Sequence, residues 1–223
     1  LGKNLTVEDV KRDHAVQAMV KRANDHVLAM GFNEHGLRHV DLVSHIAYNI
    51  LDRLQFPERD KQLAAIAGYL HDIGNVIARD RHGISGACLA YPILLRLGLP
   101  AEEIAIILGA IGNHEEEHGE AVSPVAAALI LADKSDVHRS RVRSSKEPAQ
   151  FDIHDRVNYA AVKSFLAVDS DNREITLDIT IDVKITPVME YFEIFLSRML
   201  MCRRAAEVLG CRFGLVINGN KLL

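Results

Sequence analysis

Apolar residues recur every three to four positions through the first two thirds of this chain, and every second position along one later run. The first pattern predicts helices and the second a strand with one dry face. Thr6, with Asp9 three residues on, forms a helix start, and Gly31 stops the same helix. Val40, Val43, Ala47, Ile50 and Leu54 mark one face of a second helix. Pro57 and Glu58 suit the start of a third, which runs to about Leu70. Two more helical segments, about 84–97 and 101–112, are parted by Gly98, Leu99 and Pro100, a stop and restart signal. Ser123 and Pro124 then open the run AAALILAD, apolar all round, as expected of a central helix buried on every side.

The stretch 139–156, RSRVRSSKEPAQFDIHDR, is polar and without period, and reads as a linker or mobile loop. Beyond it Ile175, Leu177, Ile179, Ile181, Val183 and Ile185 alternate with Thr176, Asp178, Thr180, Asp182, Lys184 and Thr186. This predicts a strand over 175–185, paired with the run 158–168 across a turn at Asp169 to Asn172. Thr186 and Pro187 start a helix that runs to about Leu209 and stops at Gly210, and RFGLVING forms a last strand. The chain is therefore read as mainly α. A helical bundle over 1–145 is followed by a small C-terminal α+β unit over 146–223, made of a hairpin, a long helix and a final strand.

Composition narrows the class. The chain has 223 residues, 48% of them hydrophobic, enough for a large core and too many for a disordered chain. A net charge of -4 sets up no strong field toward DNA, RNA or an anionic membrane, so neither partner is expected. No apolar run reaches the ~18 residues of a membrane span, and the opening LGKNLTVEDVKRD is too polar for a signal peptide. Cys88, Cys202 and Cys211 lack disulfide or zinc-knuckle spacing and stand in apolar context. They read as buried thiols of a cytoplasmic protein.

The chemistry concentrates at His71 and Asp72, which close the run LAAIAGYLHDIG, with His39 before them and Asp133 after. Each lies at or near a predicted helix end. Alone, His39 could be a surface residue, Asp72 a helix cap with Gly74, and Asp133 the partner of Lys134 or an arginine. Together they are harder to explain that way, since a carboxylate after an apolar run is costly to bury unless paired or ligated. Imidazoles and carboxylates without thiolates suit a hydrolytic divalent ion.

The segments RHVDLV, YLHDIGN and LADKSD, around His39, His71-Asp72 and Asp133, resemble the HD-domain superfamily of metal-dependent phosphohydrolases over roughly 35–140. The resemblance implies an HD-type helical bundle whose ion is held by His39, His71, Asp72 and Asp133. Some branches carry a second ion on further histidines between the His-Asp pair and the last Asp. Here the matching residues are His82 in RHGISGA and His114 in IGNHEEEHG, so one or two ions per chain are expected. The chain is also distantly similar to the HD-GYP branch, but it departs from that pattern. Asn75 stands where that branch has Lys, Asn113 replaces the first of two histidines, and the Gly-Tyr-Pro element is absent.

His114 to His118 also fits H-E-x-x-H, the pattern of zinc proteases. Gly112, Gly119 and Pro124 bracket it, the segment is acidic and loop-like, and no third ligand follows, so the protease reading is set aside. His35 stands one turn before His39 but reads as part of an exposed loop and is left out of the ligand set. Lys134, His118, Arg139 and Arg143 are candidate substrate-binding residues, the arginines as clamps for a phosphate.

The expected activity is hydrolysis of a phosphate ester of a nucleotide or related phosphorylated small molecule, with Asp72 as the catalytic residue that orients the attacking water. The ion could be Mn, Fe, Mg, Ni, Co or Zn. Two alternatives from other classes are a di-iron oxygenase and a non-catalytic nucleotide or metal sensor. A homodimer is expected, paired through an exposed edge of strand 175–185.

Overall fold

Asp13 divides what the sequence pattern presents as one N-terminal helix. Its side chain accepts the backbone N–H groups of Ala15 and Val16 at 3.0 and 3.2 Å, so a first helix α1 (Val7–Lys11) ends and α2 (His14–Ala29) begins. An aspartate that caps a new helix outcompetes continuation of the old one. The computed structural model describes residues 5–143 and 151–223. The expected boundary between 145 and 146 lies outside the described residues, as do residues 144–150 of the polar stretch 139–156.

The remaining bundle follows the helical period. α3 (Leu37–Arg53) buries Val40, Val43, Ala47 and Ile50 against α4 (Glu58–Leu70). The two helices meet where Gly68 faces Ser44, and a Cβ at Gly68 would lie 2.9 Å from the Ser44 Cα. α5 (His82–Arg96) and α6 (Ala101–Gly112) pack on each other, and α7 (Pro124–Ser135) is capped by the Ser123 hydroxyl. Every residue of α7 from Val125 to Ser135 is buried, the apolar run Val125 to Ala132 and the polar Asp133, Lys134 and Ser135 after it. Around it stand α3, α4 and α6.

Parts of the later chain depart from the period reading. Residues 153–160 form helix α8 (Ile153–Ala160), started by the Asp152 side chain, where the pattern suggested a loop and the beginning of a strand. β1 (Ala161–Asp169) then pairs antiparallel with β2 (Glu174–Ile181), from Asp169 opposite Glu174 to Ala161 opposite Ile181, with one irregularity between Ala161 and Lys163. β2 is shorter than its alternation. Asp182 Oδ1 accepts the Lys184 N–H at 3.0 Å and turns the chain, leaving Val183 exposed. α9 (Val188–Val208) carries the chain over to β3 (Arg212–Ile217), which lies parallel to β2, and a two-residue β4 (Asn220–Lys221) closes the sheet.

The sheet order is β1-β2-β3-β4. β2 is therefore an interior strand, and the edge on which dimer pairing was expected is already taken by β3, because α9 provides the crossover that a parallel pair needs. Ile175, Leu177, Ile179 and Ile181 join Met199, Cys202 and Ala206 in a core continuous with the bundle, and α9 packs on α7. Cys202 and Cys211 are buried as expected, whereas Cys88 is exposed on α5. Among the described residues, no helix is long and apolar enough to cross a membrane.

Candidate metal centre

The end of α4 is built so that two adjacent side chains reach the same point. Residues 100° apart on a helix cannot do this. Here α4 stops at Leu70, and a 3₁₀ turn (Ile73–Val76) follows at once with Asp72 at its start. Gly74 allows this turn to sit under the first turn of α5. A Cβ there would lie 1.9 Å from the His82 carbonyl oxygen and 2.5 Å from the Gly86 nitrogen. The turn thus brings His71 and Asp72 together and holds His82 close by.

Four imidazoles are oriented the same way. His71 Nδ1 donates to the Gly68 carbonyl at 2.8 Å, His114 Nδ1 to Ile111 at 2.6 Å, and His82 Nδ1 to Arg79 at 3.0 Å. His39 Nδ1 donates to Asp136 Oδ2 at 2.7 Å, and Arg38 holds that carboxylate from the other side. All four rings therefore turn Nε2 inward. His39 and His71 meet Nε2 to Nε2 at 3.2 Å, and His82 and His114 at 3.0 Å. Facing lone pairs at that distance repel unless a cation, proton or metal lies between them. Two nitrogens sharing one ion at about 2.0–2.1 Å stand about 3 Å apart, so the spacing fits a metal. Outer hydrogen bonds that fix each tautomer are the usual support of such ligands.

Asp72 joins the two pairs. Its Oδ2 lies 3.3 Å from His71 Nε2 and 3.6 Å from His39 Nε2, while its Oδ1 lies 3.2 Å from His82 Nε2. Asp133 Oδ1 lies 3.3 Å from His39 Nε2 and 3.6 Å from His71 Nε2, at the end of α7. The donor atoms of His39, His71 and Asp133 lie within 4.8 Å of one another, as do those of His71, Asp72 and His114. The cluster is compatible with divalent metal binding.

The protonation pattern repeats the geometry. Burial works against charge on His71, but Asp72 and then Asp133 outweigh it and raise this imidazole to about 10. His82 is likewise raised against its burial, chiefly by Asp72 and Glu115. His114 is held well below its ordinary value by burial and by the charge on His82. Asp72, despite burial, is held well below the carboxylate range by His71 and His35, and Asp133 by Lys134.

His35 belongs to this group, against the reading that left it in an exposed loop. Its side chain is only 12% exposed, and its Nδ1 lies 2.5 Å from Asp72 Oδ2. Burial lowers its pKa to about 3, so the contact is a hydrogen bond from a neutral ring. The i, i+4 spacing to His39 was the available signal. Glu115 also went unassigned. It accepts the Gly83 N–H, faces His82, and is lowered to about 2 against its burial.

A cavity of about 1000 Å³ opens over the cluster and is lined by Asp72, His82, Asp133 and Lys134 among others. Of the four substrate-binding candidates, Lys134 alone is on this wall. Arg143 lines a separate cavity of about 820 Å³. Arg139 lies over the Tyr159 ring at 5.1 Å with Nε and Nη2 buried. His118 is 54% exposed, beside Glu117. Residues 114–118 form turns, not a helix, so His114 and His118 share no helix face and the H-E-x-x-H geometry is absent. Of Arg139, Arg141 and Arg143, the one on this wall is Arg141, together with Arg79 and Arg198 from elsewhere in the chain. Residues 139–141 form a 3₁₀ turn, so the side chains of Arg139 and Arg141 leave it in different directions.

A bundle that gathers buried histidines and aspartates from helix ends in this order defines a class. Residues 36–138 match the family model described as HD domain, which supports the HD superfamily for this part of the chain. The match is to the domain as a whole and not to the HD-GYP branch. An uncharacterized protein of Methanocaldococcus jannaschii is 23% identical over 193 positions, covering 77% of this chain and 74% of the relative. An HD domain suggests a metal-dependent hydrolase.

Proposed function

We propose that this chain is a metal-dependent phosphohydrolase acting on a phosphate ester of a nucleotide-sized small molecule, with His39, His71, Asp72 and Asp133 as ligands of one divalent ion and His82, His114 and Asp72 of a second. The observation that carries this reading is Asp72, whose two oxygens face two separate histidine pairs. Such ions lower the pKa of water toward neutrality and offset charge on phosphoryl oxygens.

The chain's own residues do the rest. Hydrolysis adds water across the ester: its oxygen goes to phosphorus, the P–O bond breaks, and the leaving alkoxide takes a proton. Asp72, held by the Asn75 amide at 3.0 Å and by His35, orients the reacting groups. Lys134 Nζ, 2.7 Å from Asp133 Oδ2, is fixed beside the cluster to meet a phosphate oxygen. The cavity is large enough for a nucleotide-sized ligand. A homodimer would have to use surfaces other than β2, and a cytoplasmic location remains our expectation.

The test is elemental analysis of wild type and Asp72→Ala in parallel, with a screen of phosphate esters. One or two ions per chain that vanish in the variant, with hydrolysis lost, would support the reading. Two irons with oxygen consumption would replace it by oxygenase chemistry, for which the same donors are suited. Tight ligand binding without turnover would make the domain a sensor.

A further inference from the structure

We propose that the C-terminal unit supplies a phosphate-binding residue, Arg198 on α9, to the cavity over the metal centre. The inference rests on the phosphate-ester reading above and assigns a role to a segment outside the HD match at 36–138.

Arg198 lines the same cavity as Asp72, Asp133 and Lys134. It is held from two sides. Its Nε donates to Glu116 Oε1 at 2.8 Å, and its guanidinium lies 4.2 Å from the centroid of the Phe195 ring. Glu116 is two residues from His114, and its Oε1 also lies 3.8 Å from Lys134 Nζ. Ser197, the neighbour of Arg198, donates to Glu116 Oε2 at 3.3 Å. One carboxylate of the metal-centre loop thus orients an arginine of α9 and faces the lysine beside Asp133.

These contacts use only the Nε side of the guanidinium. Nη1 and Nη2 hold no partner among the described residues and are not sealed in the interior. Arg141, on the same wall, differs. Its nitrogens are engaged by the Glu34 and Asp136 carbonyls and by the His35 ring. A guanidinium preset by an aromatic face and a carboxylate, with two donors unspent, suits a phosphate accepted through a planar fork. Little side-chain freedom remains to be lost on binding.

The experiment is calorimetric titration of inorganic phosphate into the Mn-loaded full chain, for wild type, Arg198→Ala and Arg198→Lys, with metal content and Tm measured on each. Arg198→Ala should weaken phosphate about 10- to 100-fold with metal content unchanged. Arg198→Lys, which can keep the pairing with Glu116 but lacks the fork, should lose about 3- to 10-fold. If Arg198→Ala does not fold, the lysine variant decides, and an unchanged affinity there overturns the proposal. Wild-type affinity in Arg198→Ala overturns it, and so does loss of metal, which would make the residue a support of the loop. Phosphate binding is read apart from turnover. A chain that binds phosphate through Arg198 yet cleaves no ester refutes the hydrolase and not this residue. Ester cleavage with phosphate affinity untouched by Arg198→Ala refutes this residue alone.

Discussion

Arg141 Nη2 lies 3.2 Å from His35 Nε2, and this contact decides which nitrogen of His35 carries the proton. A guanidinium only donates, so Nε2 is the acceptor and Nδ1 bears the hydrogen directed at Asp72 Oδ2. In this tautomer Nδ1 presents a proton and not a lone pair, so an ion could take His35 only by displacing that proton, although the donor atoms of His35, His39 and Asp72 lie within 4.8 Å of one another. We expect His35 to position Asp72 through this hydrogen bond. Replacing it with Ala should leave metal content intact and lower turnover about 10- to 100-fold. Elemental analysis beside kinetics checks this, and loss of one ion from His35→Ala would show it to be a ligand instead.

Asp72 and the outer histidines should separate by stoichiometry. Asp72 touches both pairs, so Asp72→Ala should empty both positions. His82 and His114 face each other through Nε2, so His82→Ala and His114→Ala should each retain the ion of the His39–His71 pair. Equal metal content in His114→Ala and wild type would leave a single-ion site.

Metal loading should depend on pH with a definite sign. His71 in the metal-free chain is raised to about 10, so near neutral pH it is protonated and must release that proton to bind an ion. Affinity should rise with pH, about tenfold per unit for each proton displaced, between about pH 7 and 9. The same raised pKa stabilises the metal-free fold fully below the unfolded value near 6.5, and that contribution is lost as pH climbs through about 10. Titrations in buffers of different ionisation enthalpy count the protons, and a flat affinity across this range would refute the assignment.

Gly74→Ala tests the packing that brings α5 to the site. The added Cβ meets the His82 carbonyl oxygen and the Gly86 nitrogen, both backbone atoms that cannot rotate away. The cost should be about 3 kcal/mol, seen as a fall of several degrees in Tm, with loss of metal at His82. An unchanged Tm would mean that the 3₁₀ turn and α5 separate easily.

The bundle was legible because its helices obey one period and carry strong end signals. Ser123 with Pro124 and Gly98 with Pro100 mark real boundaries. Asp13 was passed over because an aspartate inside a helical period resembles any other polar position until its side chain is seen capping. α8 was missed because eight residues in polar context show too little periodicity. Val183 and Ile185 keep the β alternation, yet the Asp182 side chain turns the backbone. Alternation describes which side a residue would face, not whether the ladder continues.

By itself the sequence determined the order of the bundle helices and the buried central α7, and it singled out His39, His71, Asp72, Asp133, His82 and His114, which the fold brings close together. Periodicity and local end signals act over a few residues and need no knowledge of distant partners. Only the tertiary structure decided that Asp72 turns one oxygen to each histidine pair, that His35 is a donor, that Arg141 is inward between Arg139 and Arg143, and that Arg198 reaches the cavity from α9. These are contacts between residues tens of positions apart. They depend on where helix ends meet, on which nitrogen another residue has already engaged, and on packing that no single stretch of chain contains.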